Sequence, residues 1–346
     1  MTNTDDDPIQ NAIDRLCKPP GSLGVIERLA HRLGTITGST RPAVRPAAAV
    51  VFAADHGVTA RGVSAWPSSV TAAVTTLMAG GRTASGVFAR TIDVDFTVVD
   101  VGLCSPIVAP EIHEVHFVDA AKVRGTADFS VGPAMDRETF DHAWQTGWSM
   151  VETAARNDVK VLIGGEMGIG NTTAASCLTA WWTDAAVADV VGPGAGLDDA
   201  GIRRKRDVVT QTLVRVDTLG FDRATATADD AREIARQIGG LEIVSLAGFY
   251  AAAAQRRVVV LLDGFISTAA ALVAETIRPG TKNHMIAAHQ STEPGHAAAL
   301  AYLGLQPVLS MSMRLGEASG ALAAMPMLDL AAAMMRDMAT LDELGK

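Results

Sequence analysis

Short apolar runs rich in β-branched residues alternate along the chain with longer, alanine-rich stretches of helical periodicity. The runs are hydrophobic at consecutive positions, which is typical of strands buried on both faces. Apolar strands that each return through a helix predict an α/β fold, with a mostly parallel, Rossmann-like sheet and helices on both faces. In such sheets ligands bind at the carboxyl ends of the strands. The predicted strands, each with the helix that follows it, are 48–54 with a helix from Ser68, 94–101 with 136–156, 159–163 with a helix from Asn171, 257–262 with one from Phe265, and 285–288 with one from Gly295.

Two groups of helical segments fall outside this alternation. The middle group has few strand signals between its members, and we interpret it as an insertion or a lid; it comprises 198–219, 228–238 and 241–254. The terminal group comprises 9–38 and 316–344. We therefore predict a large α/β domain, which binds the ligands, and a small helical domain made from both ends of the chain. The predicted boundaries are 39–315 for the large domain and 1–38 with 316–346 for the small one.

The composition narrows the classes of function. The chain has 38 acidic and 29 basic residues and a formal net charge of −9, which disfavours binding to nucleic acid or to an anionic membrane surface. The polar N-terminus lacks a signal-peptide pattern and no apolar run is long enough to cross a bilayer, so we expect no membrane insertion. Three widely separated cysteines suit a reducing compartment. We therefore expect a cytoplasmic protein.

The strongest local motif is VKVLIGGEMGIGNTT at 159–173, in which an apolar strand leads through a glycine-rich turn into a helix. Backbone N–H groups at the start of a helix attract an anion, and glycines let a phosphate approach the chain closely. Residues 165–172 have Walker A spacing, but Asn171 stands where the lysine belongs, which argues against a triphosphate. A tight turn without a ligand is the alternative.

A second glycine loop, GPGAGLDD at 192–199, precedes a helix that carries Lys205 beside three arginines. A cation at this position is suited to a phosphate. Adjacent charges more often form a solvated helix face, which is the alternative interpretation of Lys205. The two glycine loops together favour a phosphate ligand.

Asp263 follows the apolar strand at 257–262. The end of this strand partly resembles the loop that binds phosphoribosyl pyrophosphate, where a strand ends in two acids. Here Gly264 replaces the second acid. Contact with a ligand and capping of a helix are equally good interpretations of Asp263. The histidines at 56, 113, 116, 284, 289 and 296 lack the spacing of a metal site, so we expect no catalytic metal.

Glu317 follows an apolar, strand-like run and lies near the start of a predicted helix. Acids are favoured in the first turn of a helix by its dipole, and this is the simplest interpretation of Glu317. Its small and apolar neighbours would also suit a carboxylate that faces a dry pocket, where a raised pKa favours proton transfer.

Five motifs in register give the chain a resemblance to the nicotinate-nucleotide:dimethylbenzimidazole phosphoribosyltransferase family, which builds the nucleotide loop of cobalamin. The resemblance extends nearly from end to end. The motifs are KPPGSLG at 18–24, ADHGV at 54–58, GEMGIGNTT at 165–173, LDGF at 262–265 and MRLGE at 313–317.

The resemblance implies a role for each candidate residue. It implies that Glu317 is the general base, and that Ser291 lies near the nicotinate. The base pocket corresponds to the stretch around Trp66, where family members differ; Trp66 either stacks on the bicyclic base or is a core residue. We assign Arg314 and Leu315 to the same pocket. The residues assigned to the mononucleotide are Glu166, Gly168, Gly170, Asn171, Thr172, Gly194, Gly196, Lys205, Asp263 and Ser291.

The implied reaction moves the 5-phosphoribosyl group of nicotinate mononucleotide to 5,6-dimethylbenzimidazole, giving α-ribazole 5′-phosphate and nicotinate. The nicotinate ring is a cationic pyridinium that leaves as a neutral ring nitrogen, so we expect neither a metal nor another cofactor. The family also implies a homodimer. Two alternatives are a magnesium-dependent phosphoribosyltransferase that uses another donor, and a nucleotide sensor without catalytic activity.

Overall fold

The computed structural model describes residues 7–108 and 115–344. Its strands are β1 (Ala47–Ala54), β2 (Asp95–Gly102), β3 (Val115–Asp119), β4 (Val161–Met167), β5 (Val259–Leu262) and β6 (Met285–Ala287). They form one sheet in the order β3-β2-β1-β4-β5-β6, and every neighbouring pair is parallel. The predicted Rossmann-like sheet is therefore confirmed. The strand order reverses between β1 and β4, which is where such sheets bind ligands.

The helices cover both faces of this sheet, and none among the described residues is long and apolar enough to cross a membrane. The stretch predicted to be helical from Ser68 contains two helices, which Gly80 and Gly81 separate. The helices are α1 (Pro8–Asp14), α2 (Val25–Thr37), α3 (Ser69–Ala79), α4 (Ala84–Thr91), α5 (Arg137–Arg156), α6 (Asn171–Thr183), α7 (Val187–Val190), α8 (Asp199–Asp217), α9 (Ala228–Ile238), α10 (Leu241–Gln255), α11 (Phe265–Ile277), α12 (Gly295–Leu303) and α13 (Ser319–Asp337).

The central strands are buried on both faces, as their apolar sequences predict. All eight residues of β1 are buried. Val50 and Phe52 belong to the core beneath α5, α10 and α11, whereas Val51 and Ala53 belong to the core beneath α2 and α13. Successive side chains of a strand point to opposite faces, so one apolar run supplies both cores.

The interpretation of 241–254 as part of a lid is wrong, because α10 is a core helix. It is buried from Leu241 to Ala253 and packs against α5. The two helices approach closely because glycines meet the opposite backbone: a Cβ added to Gly147 would lie 1.8 Å from the carbonyl oxygen of Ser245. Uniformly apolar helices without a polar face pack into the interior.

The helices at the two ends of the chain pack together over the second face of the sheet. Cys17 N donates to Ala339 O at 2.8 Å and Leu341 N donates to Arg15 O at 2.8 Å, which ties the segment after α1 to the segment after α13. The apolar core beneath α2 and α13 continues into residues of the strands. The division into a large and a small helical domain stays a prediction.

Candidate active site

The candidate site is a cavity of about 380 Å³ at the carboxyl ends of β4 and β5, beside the loop that follows β6. Its position next to the reversal of strand order agrees with the expected ligand site of such a sheet. The lining comes from chain segments that are far apart in sequence: Val63, Ser64, Trp66, Val70, Val74, Glu166–Thr172, Gly194, Ala195, Gly264, Phe265, Ile266, His289, Ser291, Glu293 and Arg314–Glu317.

The structure brings together nearly all residues assigned to the site from the sequence. Gly196, Lys205 and Asp263 do not line the cavity. Lys205 contacts the lining residue Thr172, and Asp263 precedes the lining residue Gly264. The assigned residues that do line it are Trp66, Glu166, Gly168, Gly170, Asn171, Thr172, Gly194, Ser291, Arg314, Leu315 and Glu317.

A buried lysine marks one end of the cavity. Lys205 is fully buried, and its Nζ donates to Thr172 Oγ1 at 2.8 Å and to Gly192 O at 3.2 Å. The interpretation of Lys205 as part of a solvated helix face is therefore wrong. Burial lowers the pKa of Lys205 to about 8, and the negative charge of Glu293 opposes this shift. A cation without bulk water attracts an anion strongly, so this end suits a phosphate.

Glu293 holds the second glycine loop in place. Its Oε1 accepts the N–H of Gly194 at 2.9 Å, so the Gly194 N–H is not available to a phosphate. Gly194 has a φ of +55°, and a Cβ added there would lie 2.9 Å from Thr172 Oγ1. Gly194 therefore brings the loop close to α6, and its role as a donor to the ligand is not supported by its hydrogen bonding.

Glu166 lies at the end of β4 among other acids. Its Oε2 accepts a hydrogen bond from Asn171 Nδ2. Burial, followed by the charges of Glu242 and Asp263, raises the pKa of Glu166 to about 8. Gly316 has a φ of +81°, and a Cβ added to it would lie 2.4 Å from Glu166 Oε1, so a larger residue there would displace this carboxyl group. Because this pKa is raised, a neighbouring positive charge would stabilise the ionised form of Glu166.

Glu317 is buried in an unusual backbone conformation. The run before it is irregular and α13 begins only at Ser319, so the interpretation of Glu317 as an acid in the first turn of a helix is wrong. Glu317 has a φ of +60° and Ala318 a φ of +66°. Such left-handed conformations of non-glycine residues cost about 1–3 kcal/mol each and cluster at functional sites.

Two hydroxyl groups face the Glu317 carboxyl group. Ser85 Oγ donates to Glu317 Oε2 at 3.3 Å, and Thr83 Oγ1 lies 2.8 Å from Ser85 Oγ. Burial raises the pKa of Glu317, against the hydrogen bonds from Ser85 and Thr83, which lower it. A buried carboxyl group with a raised pKa is suited to accept a proton near neutral pH.

Asp263 caps a helix, but not the helix that follows it in sequence. Its Oδ1 accepts the N–H of Ala321 at 3.0 Å, in the first turn of α13, and the backbone N–H groups of Gly320 and Ala318 also bond to its carboxylate. The capping interpretation is thus confirmed, with α13 as the capped helix. Asp263 does not line the cavity, and its charge raises the pKa of Glu317 after the larger effect of burial.

Trp66 lies at the mouth of the cavity. Its side chain is 54% exposed, so the interpretation of Trp66 as a core residue is wrong. Trp66 Nε1 donates to Ala195 O at 3.1 Å. With Leu315 and the valines on and before α3, it gives this side of the cavity an apolar wall suited to a flat aromatic ring. Arg314 lines the cavity beside Leu315 and is exposed, as Leu315 is.

His296, beside the site, forms hydrogen bonds with two neighbouring groups. His296 Nδ1 accepts the N–H of Ser291 at 2.9 Å, so its Nε2 carries the proton and donates to Thr268 Oγ1 at 2.9 Å. Burial lowers the pKa of His296 to about 3, which keeps the ring neutral. The described residues contain no group of three or more side chains arranged to hold a metal ion. His113 lies outside the described residues.

A family model described as phosphoribosyltransferase matches residues 3–345 of the chain. The chain belongs to this family. The resemblance seen in its motifs is thereby confirmed, and the protein is an enzyme of the phosphoribosyltransferase class.

Its relatives cover the chain almost completely. The nicotinate-nucleotide–dimethylbenzimidazole phosphoribosyltransferase of Chloroflexus aurantiacus is 42% identical over 333 residues, which are 96% of this chain and 91% of that protein. The protein of the same name from Cupriavidus necator is 41% identical over 338 residues, which are 97% and 94% of the two chains. The crystal structure of CobT from Thermus thermophilus superposes with a TM-score of 0.89 at 38% identity and covers 97% of each chain.

Several residues in or beside the cavity were not assigned from the sequence. Ser85 contacts Glu317, and Glu293 contacts Gly194. Neither was found from the sequence, because each is a single polar residue that belongs to no recognisable motif. Gly316 gave a detectable signal, because a glycine directly before a candidate acid indicates a close approach of the backbone. His289 lies inside the 289–296 stretch, for whose histidines and acids the sequence suggested no role.

Proposed function

We propose that this phosphoribosyltransferase moves the 5-phosphoribosyl group of nicotinate mononucleotide to 5,6-dimethylbenzimidazole, giving α-ribazole 5′-phosphate and nicotinate in cobalamin nucleotide-loop assembly. The observation that carries the proposal is the separation of charge in the cavity. The buried cation Lys205 contacts the lining residue Thr172, whereas the buried acids Glu166 and Glu317 line the cavity beside Gly316. The donor carries a phosphate anion and a pyridinium cation, so its phosphate suits the lysine and its pyridinium suits these acids.

The phosphate end is proposed to hold the 5′-phosphate of the donor. Thr172 lies in the first turn of α6, where backbone N–H groups point out of the helix. Lys205 bonds to the Thr172 hydroxyl and adds a positive charge behind it. The charge of the phosphate would favour protonated Lys205 and raise its lowered pKa again.

Glu166 is proposed to face the cationic part of the donor. In the free protein burial, followed by the charges of neighbouring acids, raises its pKa to about 8. A pyridinium ring favours the ionised carboxylate, so the donor supplies the positive charge that the acids lack. When the bond between C1′ and the ring nitrogen breaks, the electron pair goes to the nitrogen and positive charge develops on the ribose. An ionised Glu166 nearby stabilises that charge.

Glu317 is proposed to take the proton from the incoming base. One benzimidazole nitrogen forms the new bond to C1′ while the other nitrogen still carries a proton. The benzimidazole ring of the product becomes neutral when that proton moves to a carboxylate oxygen of Glu317. The β linkage of the donor becomes α in the product, so base and nicotinate must lie on opposite faces of the ribose, and anchoring the phosphate holds them in line. No step requires a metal ion.

The test is a reaction with purified protein, nicotinate mononucleotide, 5,6-dimethylbenzimidazole and a chelator, in which nicotinate release is followed by chromatography. We expect nicotinate to be released as fast with the chelator as without it. A requirement for added magnesium would favour a phosphoribosyltransferase that uses a pyrophosphate donor. Binding of the mononucleotide without release of nicotinate would favour a sensor and would disprove the proposal.

We also propose that the enzyme is a homodimer in the cytoplasm. The family resemblance supports the dimer, and so do the exposed apolar side chains of Leu77, Val87 and Phe88 on α3 and α4. Cys17, Cys104 and Cys177 are all free thiols, which suits a reducing compartment. Light scattering of the purified protein tests the dimer, and a monomer at micromolar concentration would contradict it.

A further inference from the structure

The turn that carries Glu317 has a backbone that its sequence does not favour. We call residues 316–318 the base turn. Gly316, Glu317 and Ala318 have φ values of +81°, +60° and +66° in succession. Glycine adopts this region freely, whereas glutamate and alanine rarely do. Contacts outside the turn must therefore hold it in place.

The contact that meets this requirement is the Asp263 carboxylate. It is buried at the end of β5 and accepts the N–H of Ala321 at 3.0 Å, together with those of Gly320 and Ala318. These donors begin within the base turn and continue into the first turn of α13. A negative charge at this place is favoured by the positive end of the helix dipole. Asp263 thus fixes both the turn and the helix that follows it.

The surroundings fit this arrangement closely. His289 Nε2 lies 3.8 Å from Asp263 Oδ1, and a Cβ added to Gly320 would lie 2.1 Å from the His289 ring. On the other side, a Cβ added to Gly165 would lie 2.6 Å from Ala318 N. The base turn therefore packs against β4 at Ala318, and the start of α13 packs against the loop after β6.

We propose that Asp263 is a positioning residue for Glu317: it holds the base turn in its left-handed conformation and does not contact the mononucleotide. This inference rests on the proposed role of Glu317 as the base. The LDGF motif at 262–265 then serves proton transfer, because its aspartate positions the base. The absence of a second acid agrees with this, since a cap needs only one carboxylate.

The charge of Asp263 also acts on the base itself. It contributes to the raised pKa of Glu317, after the larger effect of burial. Removing that charge should lower the pKa of Glu317. The same charge also raises the pKa of Glu166. The acid limb of the pH profile therefore reports the loss of the Asp263 charge, and the value of kcat above that limb reports the positioning of the base turn.

The experiment is Asp263→Asn, measured by steady-state kinetics and by donor binding. We expect kcat to fall about 10-fold, in keeping with the loss of a helix cap, while the Kd for nicotinate mononucleotide changes less than about 2-fold. The acid limb of the kcat profile should move to lower pH. Asp100→Asn is the matched control, because Asp100 is also buried at a strand end and accepts the N–H groups of Gly102 and Leu103. It should lower Tm without moving the acid limb.

A second variant tests the role of strain. Ala318→Gly makes the left-handed conformation easier, so in the Asp263→Asn background it should restore a large part of kcat. If Asp263→Asn alone folds poorly, kcat and the acid limb are measured in the double variant with Ala318→Gly. An unchanged kcat and acid limb in Asp263→Asn would overturn the inference, and so would a weaker Kd for the donor with no rescue by Ala318→Gly. If Glu317→Gln itself keeps full turnover, the proposed role of Glu317 has failed instead.

Discussion

Trp66 Nε1 donates a hydrogen bond to Ala195 O at 3.1 Å, which joins the apolar wall of the cavity to the second glycine loop. Arg204, in the α8 helix that follows this loop, donates from Nε to Gly62 O at 3.0 Å, just before the wall residues begin. Under the proposed function, one segment faces the accepting base and the other faces the phosphate of the donor. The positions of the two substrates are therefore linked through the protein.

This link predicts that Trp66→Phe affects the donor more than the acceptor. Phenylalanine keeps an aromatic face for the base but has no N–H group for Ala195 O. We expect the KM for nicotinate mononucleotide to rise about 2- to 10-fold, the range for one hydrogen bond, with little change in the KM for the base. Trp66→Ala should raise both. Trp148→Phe on α5, remote from the cavity lining, is the control in the same kinetic assay. Equal effects on both substrates would contradict the link.

Glu317→Gln should bind the donor normally and lose turnover. Glutamine keeps the size of the side chain and a hydrogen bond to Ser85, but it cannot accept the proton of the base. We expect kcat to fall about 10²- to 10⁴-fold, the usual contribution of a general base. Calorimetry with nicotinate mononucleotide checks binding, and chromatography of nicotinate checks turnover. Turnover at the wild-type rate would remove Glu317 from this role.

The rate should depend on pH through the same carboxyl group. Burial raises the pKa of Glu317 above its ordinary value of 4.5, and the base acts only when ionised. The rate should therefore be low in acid and rise with pH through a midpoint above 4.5. The acid limb of kcat, measured with saturating substrates, tests this. A limb at or below the pKa of free glutamate would exclude a buried base.

Glu166→Gln should stabilise the protein while reducing its activity. The folded-state pKa of about 8 exceeds the ordinary 4.5, so the folded protein retains the proton longer than the unfolded chain. Stability is then lost as pH rises from 4.5 to about 8. Glutamine avoids this loss, and we expect a gain on the order of 1–3 kcal/mol at pH 8 that disappears near pH 4.5. Thermal unfolding at both values tests it; an equal gain at both would rule out the ionisation of Glu166 as its cause.

Lys205→Met should weaken binding of the donor phosphate. Methionine removes a buried, charge-assisted contact with the phosphate. We therefore expect the Kd for nicotinate mononucleotide to rise about 10- to 100-fold. The pKa of Lys205 is lowered to about 8 from 10.5, so the free protein regains stability as pH rises between these values, and the variant should not show this rise. Arg203→Met, on the exposed side of the same helix, is the control. Donor binding that is the same in both variants would contradict a phosphate site at Lys205.

The sequence predicted five of the six described strands, all but β3, because their signals are local. The apolar run from Ala47 to Ala54 and the glycines after β4 define a strand and its turn without reference to the rest of the chain. The lid interpretation of α10 was wrong for a related reason. Its surroundings depend on Gly147, nearly a hundred residues away, and one-dimensional patterns do not report such contacts.

The candidate site was predicted less evenly. Residues in glycine loops or family motifs were found, since their chemistry is visible in a short stretch. The contacts of Asp263 and Glu293 were not, because each carboxylate binds backbone N–H groups from a distant segment. Backbone donors have no sequence signature, so only the fold reveals that these acids hold loops in place.

The base turn lies late in the chain, and this affects the order in which the cavity is made during synthesis. Every described strand ends before residue 288, whereas Glu317 follows all of them. The glycine loops and the buried lysine leave the ribosome first, although a domain generally folds as a unit. A nascent chain that stops before residue 316 lacks both the base turn and the helix that Asp263 caps. Under the proposed function, the cavity therefore gains its base only after the last strand of the sheet has been synthesised.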